Sequence, residues 1–556
     1  MRAAAKLTPP DPKTLVLRDP RQWKLAGKPL KRVDTDLKVM GKQNYAIDTR
    51  LPGMVYAAIQ ASPVFGGKLV SFDASKLKGR KGIQGVYKVD DNAVAVVADN
   101  WWRAKMALQD LPIVWNEGAN GQESSATIDA RLKEGLTSTN NVFADIDVGN
   151  APQVIAGAAK RVEAVYSTPF VTHACMEPMN CTALITDYRA EVWVASQNAE
   201  ASMAALSTAS GLPLDKCEVH NHTLGGGFGR RGGTQDFVRQ ATLLGRQMKG
   251  VPVKMVWSRE EDMAQDYFRP IGLCKLEAGL DAQGNLLGLQ LRVSGQSINA
   301  YLSPQNIKDG KDLRQLQGLT AEPSDAQLGY TIPSLRTEYA MRNSHVPVGA
   351  WRGVNTNQNG LYLECFMEEV AAAAGRDPLE FRRVLMQKHP KHLAVLNAAA
   401  DKAGWGKPLP AGVHRGIAQF MGYGSYTAAV AEVSVKGDEV KVHRLVLSTN
   451  CGHAVNPDQI AAQVEGSVAY AFDTLQSQST VANGRMVNTN FDSYPIARLR
   501  QLPRIETVIA PTFDFWGGVG EPTICVVAPA ILNAIFAATG KPMRNLPLKN
   551  HGLRIV

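Results

Sequence analysis

At 556 residues the chain is too long for one hydrophobic core, so about two to four domains are expected. Hydrophobic residues at 45% and charged residues at 20% are globular proportions, and no apolar run approaches the roughly 20 residues that span a bilayer. The net charge of +10 is spread along the chain without a dense basic block or an aromatic-studded stripe, which argues for a solvated basic surface and against nucleic-acid binding.

The start, MRAAAKLTPPDPK, is basic but lacks the apolar stretch of a secretory signal, so residence in the cytoplasm or export alongside a partner is expected. Residues 1–37, rich in Lys, Pro and Asp, read as an extended arm. Short apolar runs then alternate with turn signals: MVYAAIQ, KLVSFD, AVAVVAD, the helix-like WWRAKMALQDL and the strand-like PIVW. That mixture predicts a small α+β domain of its own over 38–130. The polar stretch 116–141 reads as a linker or long loop.

Downstream, EVWVAS predicts a strand, AEASMAALSTASG a helix closed by Gly211, and CEVHNHTL a second strand. A glycine cluster follows, then a helix in TQDFVRQATLLGRQM and a strand in VPVKMVW. LCKLEAGLDAQGNLLGLQLRV and AVAEVSVKGDEVKVHRLVLST each predict a β-hairpin. GLYLECFMEEVAAAAG is a long helix, and Asp377 caps another that has Pro378 at its first position. PDQIAAQVEGSVAYAF and VVAPAILNAIFAAT complete an α+β chain as helices. The seven cysteines, Cys175, Cys181, Cys217, Cys274, Cys365, Cys451 and Cys525, are odd in number and widely spaced. They form neither a disulfide framework nor a CxxC pair for zinc or an iron–sulfur cluster.

The sharpest local feature is LGGGFGRRGG, residues 224–233. Dense glycines let a backbone approach a ligand, and their N–H groups can cradle an anion, with Arg230 and Arg231 adding charge. The same residues satisfy GxGxxG through Gly227, Gly229 and Gly232, so a nicotinamide-dependent dehydrogenase is a rival, and a flexible turn is another. Against the nicotinamide reading, the cluster sits mid-chain and no repeating βαβ pattern surrounds it. VGAWRGV at 348–354 sets an arginine among small residues, and GGVGEPT at 517–523 puts a carboxylate in a glycine loop just before a helix. His173 and Glu177 in HACMEP have the look of a metal pair, but satisfied core polar groups are the preferred reading.

Taken in order, HACMEP, VASQNAE, LGGGFGRR, VGAWRGV, LECFMEEVA, CGHAVNP…VEG and GVGEP resemble the molybdenum-cofactor subunits of the xanthine dehydrogenase and aldehyde oxidase family. The opening GKQNYAIDTRLPGMVYAAIQASPVFGGKL is similar to that family's hammerhead domain, and DPRQWKLAGKPLKRVD to its isoquinoline 1-oxidoreductase branch. The resemblance implies an α/β hammerhead domain over 38–130, then a two-part molybdopterin-binding domain over 145–410 and 411–556.

It implies a molybdenum hydroxylase subunit that oxidises aldehydes to carboxylic acids with water as oxygen source. Hydroxylation of an N-heterocycle and a non-catalytic scaffold role stand as alternatives. By similarity, Glu521 is the general base, and Gln197, Gly226, Gly227, Phe228, Gly229, Arg230, Arg352 and Gly520 line the cofactor. The Gly229 amide would face the metal, and Arg352 would touch the cofactor and the substrate channel. Phe228 and Trp351 are the substrate-pocket candidates, although core packing competes for Trp351. No protein side chain holds the metal, which a molybdopterin cytosine dinucleotide carries. Gly232 stands where purine-oxidising relatives carry a glutamate, which points away from purines. The Met-Gly-Gln-Gly segment that helps bind the pterin is not found, so either a further chain supplying the N-terminal molybdopterin-binding region or a truncated chain is expected. A [2Fe-2S] small subunit, a cytochrome c subunit beyond it, and periplasmic, partner-mediated membrane association complete the expectation, with the cytoplasm as alternative.

Overall fold

The computed structural model describes residues 7–320, 328–514 and 516–556; the expectation for the first six residues lies outside them. Three sheets organise the chain. The first has seven strands in the order Cys217–Asn221, Ala190–Val194, Asn180–Ile185, Val253–Val256, Val55–Ala61, Ala93–Ala98, Ile83–Val89. The segment 38–130 therefore does not keep a sheet of its own. Val55–Ala61 pairs in parallel with Val253–Val256, joining it to the region some 200 residues onward. Both strands are largely buried, so each needs partners on both edges and cover on both faces, which local reading of VYAAIQ does not specify. Only Lys68–Phe72 and Ile113–Asn116 form a separate two-stranded ribbon.

The second sheet runs Val142–Val148, Ser334–Met341, Leu286–Gly295, Gly272–Leu280, Lys160–Thr168 and contains the first expected hairpin. The third joins Val413–Gly422, Ser425–Lys436, Glu439–Asn450 and Arg504–Ile509, the second hairpin turning at Gly437 and Asp438. Across it lies the Ile524–Thr539 helix, buried along most of its length. A Cβ on Gly416 would sit 2.1 Å from Ala534 N, so glycine is what lets helix and strand meet there.

The polar stretch expected as a linker holds the helix Ser125–Gly135. Ser124 caps it by accepting from Thr127 N, and Ile128 and Leu132, four residues apart, bury one stripe of its surface. Two apolar residues in a polar run are a faint signal, which is why the helix escaped notice. No helix among the described residues is long and apolar enough to cross a membrane.

The Val354–Ala373 helix runs through the interior and is buried from Val354 to Ala371, so its polar residues must find partners inside the protein. Asn359 Nδ2 donates to Gln315 O and Gln317 O, and Gln358 Nε2 to Thr168 Oγ1 and Pro270 O. Glu364 receives Tyr330 OH at 2.5 Å and Arg382 Nε at 3.0 Å; Arg382 Nη1 reaches Glu368 at 2.8 Å. Arg382 comes from the Pro378–Leu385 helix, which Asp377 caps through Leu379 N and Glu380 N. A planar cation shared by two buried carboxylates thus locks these helices together. Removing it strands both charges, so Arg382→Ala should cost about 3–5 kcal/mol. The check is the urea midpoint of the purified protein.

Candidate active site

Three loops meet around the ring of Tyr470. The first, holding the glycine cluster, leaves the edge strand Cys217–Asn221 and enters the helix Asp236–Gln247. Gly226, Phe228 and Gly229 all take positive φ, at 103°, 54° and 111°. Gly229 cannot be replaced: a Cβ there would lie 1.5 Å from Ala350 O of the second loop.

The expectation of free amides around an anion is not met. Gly229 N donates to Gln197 Oε1 at 3.1 Å, as does Arg231 N at 3.3 Å. Gly225 N donates to Glu177 Oε2, Arg230 N to Gly227 O and Gly232 N to Gly229 O. The Gly229 N–H, which the resemblance turns toward the metal, is instead bonded to the side chain of Gln197.

Nor is the Arg230 side chain a cofactor contact. It is 2% exposed and forks onto Asp236 at 2.9 and 2.8 Å, with its plane between Trp257 and Tyr267. Arg231, 0% exposed, donates to Glu177 O, Gly226 O and Ala195 O. Buried guanidinium groups need such partners, and these have them within the protein. The loop is a packed corner rather than a phosphate grip, which also removes the support for a nicotinamide site.

The second and third loops, residues 349–353 and 517–521, are stapled to each other. Arg352 Nε donates to Gly520 O at 2.7 Å, and its Nη2 to Gln463 O and Oε1, both at 3.0 Å. Gly353 N donates to Glu521 Oε1 at 3.1 Å. Burial lowers the pKa of Arg352 from its usual value, with Tyr470 and Glu521 opposing. Gly517 N donates to Cys451 O and Gly518 N to Tyr423 O, tying the third loop to the ends of two strands. Glu521 is half-buried and stands three residues before the Ile524–Thr539 helix, where its own carbonyl accepts from Ile524 N.

A residue that sequence reading passed over holds the loops to the Pro457–Gln476 helix. Tyr470 stacks on Phe228 at 4.1 Å and on Trp351 at 4.4 Å, both at 17°. The slot between the two substrate-pocket candidates is thus filled by protein. Trp351 is 0% exposed, carries Arg269 over its ring and donates Nε1 to Thr172 O, so it is core, not pocket wall. Phe228 keeps one half-exposed side. Only the i, i+3, i+4 pattern of that helix hinted at a buried aromatic here.

His173 and Glu177 do not share a metal. His173 pairs with Asp266, and Glu177 accepts from Ile47 N, Gly225 N, Asn180 and Arg231. Glu191, Glu218 and His220 lie close enough to share a cation, but Arg189 already pairs both carboxylates.

Two glycines beside the loops face open space. A Cβ on Gly233 would meet nothing within 4 Å, and one on Gly520 only Gln463 Oε1 at 4.0 Å, so both present bare backbone without packing requiring it. Among the described residues, Asn450 Nδ2 and His453 Nδ1 are buried without a hydrogen-bond partner, next to the Cys451 carbonyl that anchors the third loop. Unsatisfied buried polar atoms at a loop junction fit a ligand rich in polar atoms.

Fold and loop junction together define the large, cofactor-binding type of subunit built from several sheets around glycine-rich loops. A molybdopterin cofactor-binding domain matches residues 135–386 and a second matches 367–503. Isoquinoline 1-oxidoreductase subunit beta of Brevundimonas diminuta is 28% identical over 96% of this chain and 69% of its own length. The membrane-bound aldehyde dehydrogenase (pyrroloquinoline-quinone) of Gluconacetobacter polyoxogenes is 27% identical over 98% and 74%. The aldehyde oxidoreductase of Desulfovibrio gigas superposes with a TM-score of 0.77 at 16% identity, covering 97% of this chain and 81% of that one. The chain belongs to the molybdenum-cofactor-binding subunits of the xanthine dehydrogenase and aldehyde oxidase family. It is a molybdopterin-dependent oxidoreductase of the molybdenum hydroxylase type.

One buried acid below the stack gives a pH signature. Asp473, one turn from Tyr470, accepts from Ala497 N, and burial pushes its pKa up to about 7. The folded protein therefore keeps a proton that the unfolded chain releases near pH 4, so stability falls as pH rises between these values. Asp473→Asn should be more stable than wild type at pH 8 by roughly 2 kcal/mol or more, with the gap closing by pH 4. Thermal midpoints measured across this range test it.

Proposed function

We propose that this chain is the catalytic subunit that oxidises aldehydes to carboxylic acids with water as oxygen source. The observation that carries the reading is Glu521, a half-buried carboxylate fixed by Gly353 N at 3.1 Å where the second and third loops are stapled together. The backbone at Gly226, Gly227, Phe228 and Gly520 would border a molybdopterin cytosine dinucleotide, while Gln197, Gly229, Arg230 and Arg352, bonded within the protein, hold the loops that shape its rim. When bound, that cofactor supplies a two-electron redox centre and an activated, water-derived oxygen.

The protein's own work is placement and proton transfer. Glu521 is held at the loop junction by a backbone donor that leaves its second oxygen available as general base. Arg352, with its donors spent on Gly520 O and Gln463, fixes the loop that supports this carboxylate. The Phe228–Tyr470–Trp351 stack fixes the glycine-rich loop and the second loop against the Pro457–Gln476 helix. Electrons leave for a [2Fe-2S] small subunit and, beyond it, a cytochrome c subunit. The complex sits in the periplasm, held at the membrane by its partners.

A second reading, hydroxylation of an N-heterocycle, is favoured by the half-exposed Phe228 ring and by the similarity to an isoquinoline oxidoreductase. Aldehydes and isoquinoline offered to the enzyme purified with its partners separate the two. Metal and nucleotide analysis of that preparation should give molybdenum with a cytosine nucleotide. Glu521→Gln retains an acceptor for Gly353 N, so molybdenum content should stay at wild-type level while turnover falls by at least about 100-fold. Activity within a few-fold of wild type would remove Glu521 as the base.

A further inference from the structure

The carboxylate of Asp266 lies 1% exposed, two residues past the Arg259–Ala264 helix, and gathers donors from three separate segments. Thr172 Oγ1 and His173 N each donate to Oδ2 at 2.6 Å, and Tyr267 N donates to Oδ1 at 2.7 Å. His173 Nδ1 stands 2.9 and 3.0 Å from the two oxygens. Arg230 Nε lies 3.0 Å from Oδ1, an ion-pair contact at an angle too oblique for a hydrogen bond. Burial alone would raise this carboxyl, but the charge and hydrogen bond of His173, then Arg230, hold it below the usual carboxylate range.

Two routes lead from this carboxylate to the loop junction. Through Arg230, which also forks onto Asp236, it steadies the glycine-rich loop from behind. Through His173 it reaches the second loop, because the far ring nitrogen, Nε2, faces Ala350 O at 3.2 Å. Ala350 O is the atom that presses on the bare α-carbon of Gly229. From Ala350 the chain runs at once into Trp351 of the stack, Arg352 on Gly520 O, and Gly353 on Glu521. A shift of Ala350 therefore moves the donor that fixes the Glu521 carboxylate.

We infer that Asp266 is a positioning residue: acting through His173 on Ala350 and through Arg230 on the glycine loop, it sets the separation of the two loops and so the place of Glu521. The reactive role of Glu521 rests on the function proposed above, whereas the loop-positioning claim stands by itself. A core salt bridge of purely structural value would stabilise the fold without singling out residues 349–353. A node of this kind does single them out, since Thr172, His173 and Arg230 converge on it from two distant segments, and His173 and Arg230 lead on to the two loops.

Asp266→Asn keeps the size and one acceptor oxygen but removes the charge and adds a donor toward His173. In the enzyme purified with its partners, amide exchange in the peptide covering 349–353 should quicken at least tenfold, while the Asp236–Gln247 helix keeps its protection. In the same preparation kcat should fall at least tenfold with KM within twofold and molybdenum content unchanged. If the variant does not fold, His173→Gln carries the same two measurements from the other end of the relay. Exchange at 349–353 within twofold of wild type overturns the inference, and so does faster exchange with unchanged kcat. Wild-type protein holding no molybdenum would instead remove the proposed function, and the exchange result alone would then decide the positioning claim.

Discussion

A guanidinium group cannot be left alone in a protein interior, and among the described residues four are no more than 2% exposed. Arg230 and Arg382 face pairs of carboxylates, whose charge outweighs burial and raises both above the ordinary arginine value. Arg231 rests on carbonyls and Glu177. Arg269 has only Asn357, the Pro169 carbonyl and the face of Trp351, and burial pulls it down to about 10. The positions of these partners decide which loops and helices can approach one another. Arg382 fixes the buried central helix; Arg230, Arg231 and Arg269 surround the loop junction.

That constraint changes the meaning of the glycine-rich cluster. A run of glycines followed by arginines and a helix looks, one residue at a time, like a grip for phosphate. In the fold, the glycines are there because Gln197, Glu177 and Ala350 come too close for side chains, and the arginines turn inward to satisfy buried acids. Open backbone at Gly233 and Gly520 and unsatisfied polar atoms at Asn450 and His453 lie outside this packed corner. A wall of the site is built from residues whose first duty is to hold the wall in place.

Much of the architecture was legible because its signals are local. Gly211 at a helix end, Asp377 with Pro378 at a helix start and the two hairpins are fixed by backbone preference within a few residues. The ordered segments also placed Gln197, Gly229, Arg352 and Glu521, which the structure brings together. What stayed hidden depends on distance in sequence. The parallel pairing of Val55–Ala61 with Val253–Val256, the Tyr470 ring between Phe228 and Trp351, and the convergence on Asp266 each need partners that no local pattern names. The Arg230 side chain was misread for the same reason, since Asp236 and Asp266 claim it only once the chain is folded.

Sulfur is treated with equal care. Cys175 lies under the glycine loop with its thiol toward Gly227 O, and Cys525 sits beside Thr356 at the foot of the third loop. Burial pushes both up to about 12. A thiolate is what captures soft metals, attacks electrophiles and opens the way to oxidation. With both thiols kept protonated by desolvation, neither flank of the loop junction offers a thiolate to a soft metal or an electrophile at neutral pH.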